Sequence, residues 1–342
     1  MRNILFGPLG MVLIFCTIVG LVPEPVAGQS LKAEAGIWTL PLTSDGHPDL
    51  QGVWANNNAT PLERPAVWAG KERLTEEELA VLKTAAAKVT DPGQDALFND
   101  QLVLAAIAET KAESYDPTTG NYNQFWVVER DFNERTSLVI DPPDGRIPPL
   151  IPAAARRRAA RVAYREAHPA DSWEDIPLQE RCITYGVPRL GAGYNSYYQI
   201  FQNAEHVVFF MEMNHDARVI PLDGRPPLDS KVRQWHGDSR GWWEENTLVF
   251  ETTNYSSKSD FRGASEHLRV VERLTRVGAD TLNYEVTVRD PTTWTQPWTV
   301  MIPLMRSDDA IYEYACHEGN YGMEGILAGH RAQEKFPVAA SR

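Results

Sequence analysis

Two spacing patterns divide the chain. In the first half, apolar positions return at helical intervals between turn-rich stretches. Thr75 and Glu78 match a capping box, and Leu79 and Leu82 begin an apolar stripe behind it, which predicts a helix starting at Thr75. A second helix is predicted over Ala96 to Glu113. A third covers Ala153 to His168, where Arg156, Arg157, Arg158, Arg161 and Arg165 read as a solvated basic face. Pro61 and Pro65 break any regular element before the first helix.

From Phe125 onward the period shortens to two. Strand-like runs occur at Phe125 to Val128, Thr136 to Ile140, Tyr197 to Gln202, His206 to Glu212, Arg218 to Ile220, Thr247 to Thr252, Arg269 to Arg276, Thr281 to Arg289, Trp298 to Met305 and Ile311 to Tyr314. Asp144-Gly145, Asp223-Gly224 and Gly278-Ala279-Asp280 supply turns. Short strands joined by hairpins predict an antiparallel sheet, and their number predicts that it closes its edges as a calycin-like β-barrel. The expected class is mainly β (α+β): an extended and helical region over 29–170 and a β-barrel-like region over 171–342, built as one compact unit. No βαβ alternation, GxGxxG, GxxxxGK[ST] or 20–50-residue repeat occurs, which disfavours nucleotide folds and solenoids.

The N-terminus changes the setting. Arg2 precedes an uncharged, mostly apolar run from Ile4 to Val22, and Val26-Ala27-Gly28 offers small residues for cleavage, so residues 1–28 read as a signal peptide and the protein as periplasmic or secreted. No later run is long enough to cross a bilayer. Beyond the leader only Cys182 and Cys316 remain, and an oxidising compartment predicts that they form a disulfide. The 342 residues carry 33 Lys plus Arg against 46 Asp plus Glu, a net charge of −13 that argues against a nucleic-acid partner.

Several words along the chain look familiar together. Pro48-Asp49-Leu50-Gln51-Gly52-Val53-Trp54, Thr60-Pro61-Leu62-Glu63-Arg64-Pro65, Asp141-Pro142-Pro143-Asp144-Gly145-Arg146, Asn214-His215-Asp216-Ala217-Arg218, Gly237-Asp238-Ser239-Arg240-Gly241-Trp242-Trp243 and His317-Glu318-Gly319-Asn320-Tyr321-Gly322-Met323 are the set. The chain resembles a family of exported hypothetical proteins of environmental bacteria. The resemblance covers nearly all of the exported chain and implies export and a one-piece β-rich body; it carries no activity, cofactor or site residue.

HExxH and GxSxG are absent, which removes a zincin helix and a nucleophile elbow. Three polar segments stand out: His215-Asp216-Ala217-Arg218, His236-Gly237-Asp238-Ser239-Arg240-Gly241 and His317-Glu318-Gly319-Asn320-Tyr321-Gly322. Each sets a histidine beside or near a carboxylate, a pairing that suits proton transfer. The bland reading is that these side chains satisfy local backbone, with Asp238 and Arg240 an ion pair. His206, His215, His236 and His317 with Asp216 or Glu318 form a scattered metal-ligand set matching no compact signature. No cofactor is predicted, and a divalent metal is the alternative.

Two functions compete. The first is an exported hydrolase or lyase/isomerase acting by acid–base chemistry on a small organic molecule or glycoside. His215, His236, His317 and Glu318 would carry the chemistry, and Arg218, Arg240, Tyr321, Trp242 and Tyr194 would hold the substrate. The second is a calycin-like binding protein with an aromatic-lined interior and no turnover. A structural envelope protein, without a deep pocket, is a third. Convergence of the titratable groups on one pocket separates the first from the others.

Overall fold

In a computed structural model, which describes residues 38–90, 95–110, 122–259 and 261–336, helices and strands alternate only early in the chain. The helices are α1 (Glu76–Val89), α2 (Gln101–Ala108), α3 (Pro152–Ala167) and α4 (Tyr321–Lys335). The strands are β1 (Gly52–Ala55), β2 (Val139–Asp141), β3 (Tyr197–Gln202), β4 (His206–Met211), β5 (Ala217–Pro221), β6 (Asp238–Glu244), β7 (Thr247–Thr253), β8 (Arg269–Arg276), β9 (Thr281–Arg289) and β10 (Trp298–Ser307). The leader expected over residues 1–28 lies outside the described residues.

α1 starts where the capping box places it. Glu78 N donates to Thr75 Oγ1 at 3.2 Å, and Thr75 N donates to Glu78 Oε2 at 2.8 Å. Its buried face, Leu82, Ala86 and Val89, packs on Leu102, Val103 and Ala106 of α2 as a small second core. Thr75→Ala should lower stability by about 1 kcal/mol, read from the midpoint of urea unfolding. α2 is shorter than expected. Ala96 N is held by Tyr122 O at 2.6 Å and Leu97 N by Gln124 Oε1 at 2.9 Å, so these residues are committed to cross-chain bonds before the helix begins. Phe125 to Val128 is not a strand: Asn123 Oδ1 accepts from Phe125 N at 2.8 Å, and this local cap sets a short 3-10 turn over Gln124–Trp126.

The strands form one antiparallel sheet in the order β5-β4-β3-β1-β10-β9-β8-β7-β6, with β2 also on β10. β10 is the hub, pairing β9 along Trp298–Met305, β1 at Met305–Ser307 and β2 at Thr299–Val300. The mainly β, antiparallel expectation stands. The expected barrel closure does not form: β5 and β6 are the two ends, and no ladder joins them among the described residues. They meet through side chains instead. A Cβ on Gly241 would lie 2.7 Å from Leu222 Cδ2 and 2.8 Å from Ile220 Cγ2, so the glycine lets β6 lie against side chains of the β5 segment rather than bond its backbone edge.

The rolled sheet encloses the main core. Alternate residues point inward, among them Leu282, Tyr284, Val286 and Val288 of β9 and Trp298, Val300, Ile302 and Leu304 of β10. The inward face of β8 carries Glu272 and Arg276 beside Val270 and Leu274. Glu272 pairs there with Arg218 of β5, Nη1 to Oε1 at 2.8 Å and Nη2 to Oε2 at 2.5 Å.

Three further segments depart from expectation. Asp238 to Gly241, read as a polar loop, is the first half of β6. Ile311 to Tyr314 is irregular, because Tyr314 N is bound by His215 Nδ1 at 3.0 Å rather than by a strand. α4 was not anticipated: its side chains bury nothing fully, so the sequence has no apolar stripe there, and Asn320 Oδ1 caps Met323 N at 3.4 Å. Cys182 and Cys316 are bonded, as expected, with Cα atoms 5.6 Å apart. No helix among the described residues is long and apolar enough to cross a membrane.

Candidate functional site

A cavity of about 1270 Å³ opens beside the rolled sheet, walled by loops and helix ends from widely separated parts of the chain. Its aromatic wall begins with Phe98, before α2, which meets Tyr194 edge-on at 5.9 Å and Tyr122 at 6.4 Å. Tyr122 and Tyr194 stand 5.4 Å apart. Burial, reinforced by the hydrogen bond with Tyr122, pushes the Tyr194 phenol well above its ordinary range. Tyr185 and Tyr314 extend the wall.

Arginines complete it. Arg130 is buried; its Nη2 donates to Asn58 O at 2.5 Å and its Nε to Asn57 O at 3.3 Å, while Nη1 has no partner among the described residues. Burial pulls its pKa down to about 10, against the opposing charges of Asp100 and Asp131. Arg189 is also buried. Its Nη1 donates to Asn195 O at 2.6 Å and its Nη2 to Tyr194 O, which fixes the turn carrying Tyr194, while Nε is unpartnered among the described residues. Arg262 lines the same space.

Asp100 lies within electrostatic reach of Arg130 and Arg262. It occupies the N-cap position of α2 but makes no side-chain cap; its Oδ1 instead accepts from Leu62 N at 2.9 Å. Burial raises its pKa, against that hydrogen bond and the charges of Arg262 and Arg130. An uncapping aspartate at a cavity wall departs from what local helix chemistry favours, and such departures concentrate at functional sites.

Of the residues read from sequence, Tyr194 lines this cavity. The three polar segments do come to one neighbourhood, around the loop that carries Cys182 and Thr184, but their imidazoles make separate bonds. His215 packs edge-on against Phe210 and its Nδ1 accepts from Tyr314 N. His236 Nε2 lies 2.7 Å from Thr184 Oγ1 and 3.2 Å from Asp216 Oδ2. Thr184 gives its one proton to Asp216 at 2.9 Å, so the ring must donate to Thr184. Both contacts use the same ring nitrogen, whereas a proton relay places the carboxylate on one nitrogen and the hydroxyl on the other. His317 and Glu318 are exposed beside the disulfide.

The expected substrate-holding residues disperse as well. Arg218 lies inside the sheet with Glu272, its side chain 2% exposed. Arg240 bonds Asp238 at 2.6 Å and Pro226 O at 3.1 Å. Trp242 is exposed and donates to Glu244 at 2.9 Å, and Tyr321 is 78% exposed at the start of α4. Asp100, Arg130, Arg189 and Arg262 went unnoticed because no motif surrounds them. The one usable signal was the run Gly191-Ala192-Gly193 just after Arg189, since a conformationally open segment flanked by charge and Tyr194 marks a loop able to carry a site.

Metal-ligating side chains come together elsewhere. Among the described residues, Asp171, His330 and Glu334 bring ligand atoms within 4.8 Å of one another. Arg331 Nη2 already stands 2.8 Å from His330 Nδ1 and 2.9 Å from Glu334 Oε1, so a guanidinium supplies positive charge to that group. Compared with protein families, curated proteins and solved structures, the chain matches none.

Proposed function

We propose that the protein is exported and takes up a small organic molecule with an aromatic or unsaturated body in the cavity walled by Phe98, Tyr122, Tyr185, Tyr194 and Tyr314. The observation that carries this reading is the pairing of that wall with buried guanidinium atoms that lack partners among the described residues. Ligand sites are commonly apolar clefts with a few polar groups that fix orientation, and the volume is ample for one. The Cys182–Cys316 disulfide fits export into an oxidising compartment.

One observation favours turnover in the same cavity. Asp100 lines it with a carboxyl whose pKa burial raises, the direction that suits a general acid or base. On this second reading Asp100, rather than His215, His236, His317 and Glu318, takes the acid–base role.

Titration calorimetry of the exported chain against benzoate, 4-hydroxycinnamate and phenylpyruvate tests the binding reading. At least one should bind, and Tyr194→Ala should weaken it several-fold to about tenfold, as loss of an aromatic contact does. Equal binding by the variant, or none by the parent protein, counts against it. Asp100→Asn should strengthen binding of these anions, because it removes a negative charge and leaves Arg130 and Arg262 in place.

A further inference from the structure

One stretch of the cavity wall belongs to no helix or strand. Residues 311–316 follow β10 irregularly, yet Glu313, Tyr314, Ala315 and Cys316 all line the cavity. Cys316 is fixed by its disulfide. The residues before it are held from the turn between β4 and β5. His215 Nδ1 accepts from Tyr314 N at 3.0 Å, and the backbone amide of Tyr312 hydrogen-bonds the buried Glu212 carboxylate.

That turn is strained. Asn214 and His215 both stand in the left-handed region, at φ 58° and 53°, which few residues with a side chain enter. Two such residues in succession persist only where the surroundings hold them, and strain of this kind concentrates at functional sites. Here it aims one ring. Phe210 meets the imidazole edge-on at 5.2 Å, and Nδ1 faces two backbone groups of opposite kind. Tyr314 N can only donate. Glu212 O, 3.3 Å from the same nitrogen, can only accept. An unprotonated Nδ1 binds the first and a protonated one the second, so a single proton exchanges Tyr314 for Glu212.

We infer that His215 is a positioning residue of the ligand cavity: with Nδ1 unprotonated it holds Tyr314 in the wall, and its protonation releases the stretch before Cys316 and lowers ligand affinity. This rests on the binding reading above and adds its regulation. Imidazoles change charge between about pH 5 and 8, so affinity is full above that range and falls as pH drops through it. Of the groups around the ring, Glu212 and Asp216 flank it in sequence and Glu313 lies on the stretch it holds. Arg189 acts on Glu212 and Tyr314 from the loop before β3. Burial raises the Glu212 pKa, against the Tyr312 and Tyr197 amides and the Arg189 charge, so acid loosens Tyr312 in the same direction through a different group. His236, the other imidazole nearby, is bonded to Thr184 and Asp216 and stays in place in every variant below.

The test takes two readouts on the exported chain, at about pH 7.5 and about pH 5.5. Amide exchange, corrected for its intrinsic pH dependence, should find Tyr314 N protected at the higher pH and about tenfold less so at the lower, the scale of one hydrogen bond. Affinity for benzoate, 4-hydroxycinnamate or phenylpyruvate, read by calorimetry, should fall by a similar factor. His215→Asn puts an amide oxygen where Nδ1 stands and suits a left-handed backbone, so it should keep protection and affinity at both pH values. His215→Ala should be weak in both readouts at either pH. If Tyr314 protection does not depend on pH, or His215→Asn keeps the dependence of the parent protein, the assignment falls whatever the ligands do. If the acids bind equally at both pH values it also falls, and the binding reading stands. If none binds at either pH, the binding reading falls and takes this one with it.

Discussion

Glu272→Gln should remove about 3–5 kcal/mol of folding stability, the loss typical when a buried ion pair keeps only one partner. Arg218 and Glu272 meet in a bidentate pair with side chains 2% and 0% exposed. Arg218 Nη2 also donates to Thr252 Oγ1 at 2.9 Å, and Tyr284 OH donates to Glu272 Oε1, while Arg218 Nε has no partner among the described residues. Burial alone would ease the proton off Arg218, but the Glu272 charge and hydrogen bond outweigh it, so the guanidinium is held more firmly charged than usual. A glutamine keeps the shape and turns an NH₂ toward that cation, leaving a full charge inside the sheet without a counterion. For a protein of ordinary stability this is a large fraction of the total. Guanidinium unfolding followed by tryptophan fluorescence reads it. The paired change Arg218→Met with Glu272→Leu should recover much of the loss, since apolar replacements of both partners are often neutral or better. A loss under about 1 kcal/mol in Glu272→Gln would show that the pair is not sealed as described.

The same core supports the cavity. Tyr198 stacks on Phe209 at 4.8 Å inside the sheet, while its hydroxyl donates at 3.1 Å to Arg189 O in the cavity wall. Burial pushes that phenol up to about 12, so it stays protonated and a donor across the working pH range. The packing of β3 therefore sets the position of Arg189 and, through it, of the Tyr194 turn.

What the sequence disclosed follows from which forces are local. Strand alternation survives in single residues, so β8 and β9 were legible at Arg269–Arg276 and Thr281–Arg289, and the capping box at Thr75 located α1. The inward face of β8 was harder to read, since Glu272 and Arg276 sit on it and the opposite face has Val271. Charge would ordinarily mark the outside, and only the partner 54 residues away in sequence explains the inversion. The same inversion hides in the sequence that Arg218 is buried with Glu272. The cavity was the least legible part. Phe98, Asp100, Arg130, Arg189 and Arg262 come from separate loops with no shared period, and tertiary packing alone assembles them. The histidine segments stand out by residue type, yet His215 commits Nδ1 to Tyr314 N, and His236 commits Nε2 to Thr184 and Asp216.

Replacing both Cys182 and Cys316 by serine should cost up to about 5 kcal/mol, and unlike the core substitution it should also weaken ligand binding. The bond spans 134 residues, and in the chain-entropy model a loop of that length confers close to the upper range of disulfide stabilisation. With Cys182 and Cys316 bonded, neither should react with a thiol reagent in denatured, unreduced protein. The effect on binding follows from what the bond joins. On one side is the loop holding Gln179, Glu180 and Tyr185; on the other is the segment holding Glu313, Tyr314 and Cys316, and all six line the cavity. Apart from the disulfide, that loop is tied by Asn320 Nδ2 to Glu180 O and by the Thr184–Asp216–His236 bonds. Without the covalent link these few polar contacts must hold the Glu180 end of the wall in register with Tyr314. Glu272→Gln disturbs the sheet interior and should leave affinity intact while the protein remains folded. The double serine variant should lose affinity at temperatures where circular dichroism still reports a native sheet. Binding unchanged in the serine variant under those conditions would mean that the wall keeps its shape without the bond and that the disulfide serves stability alone.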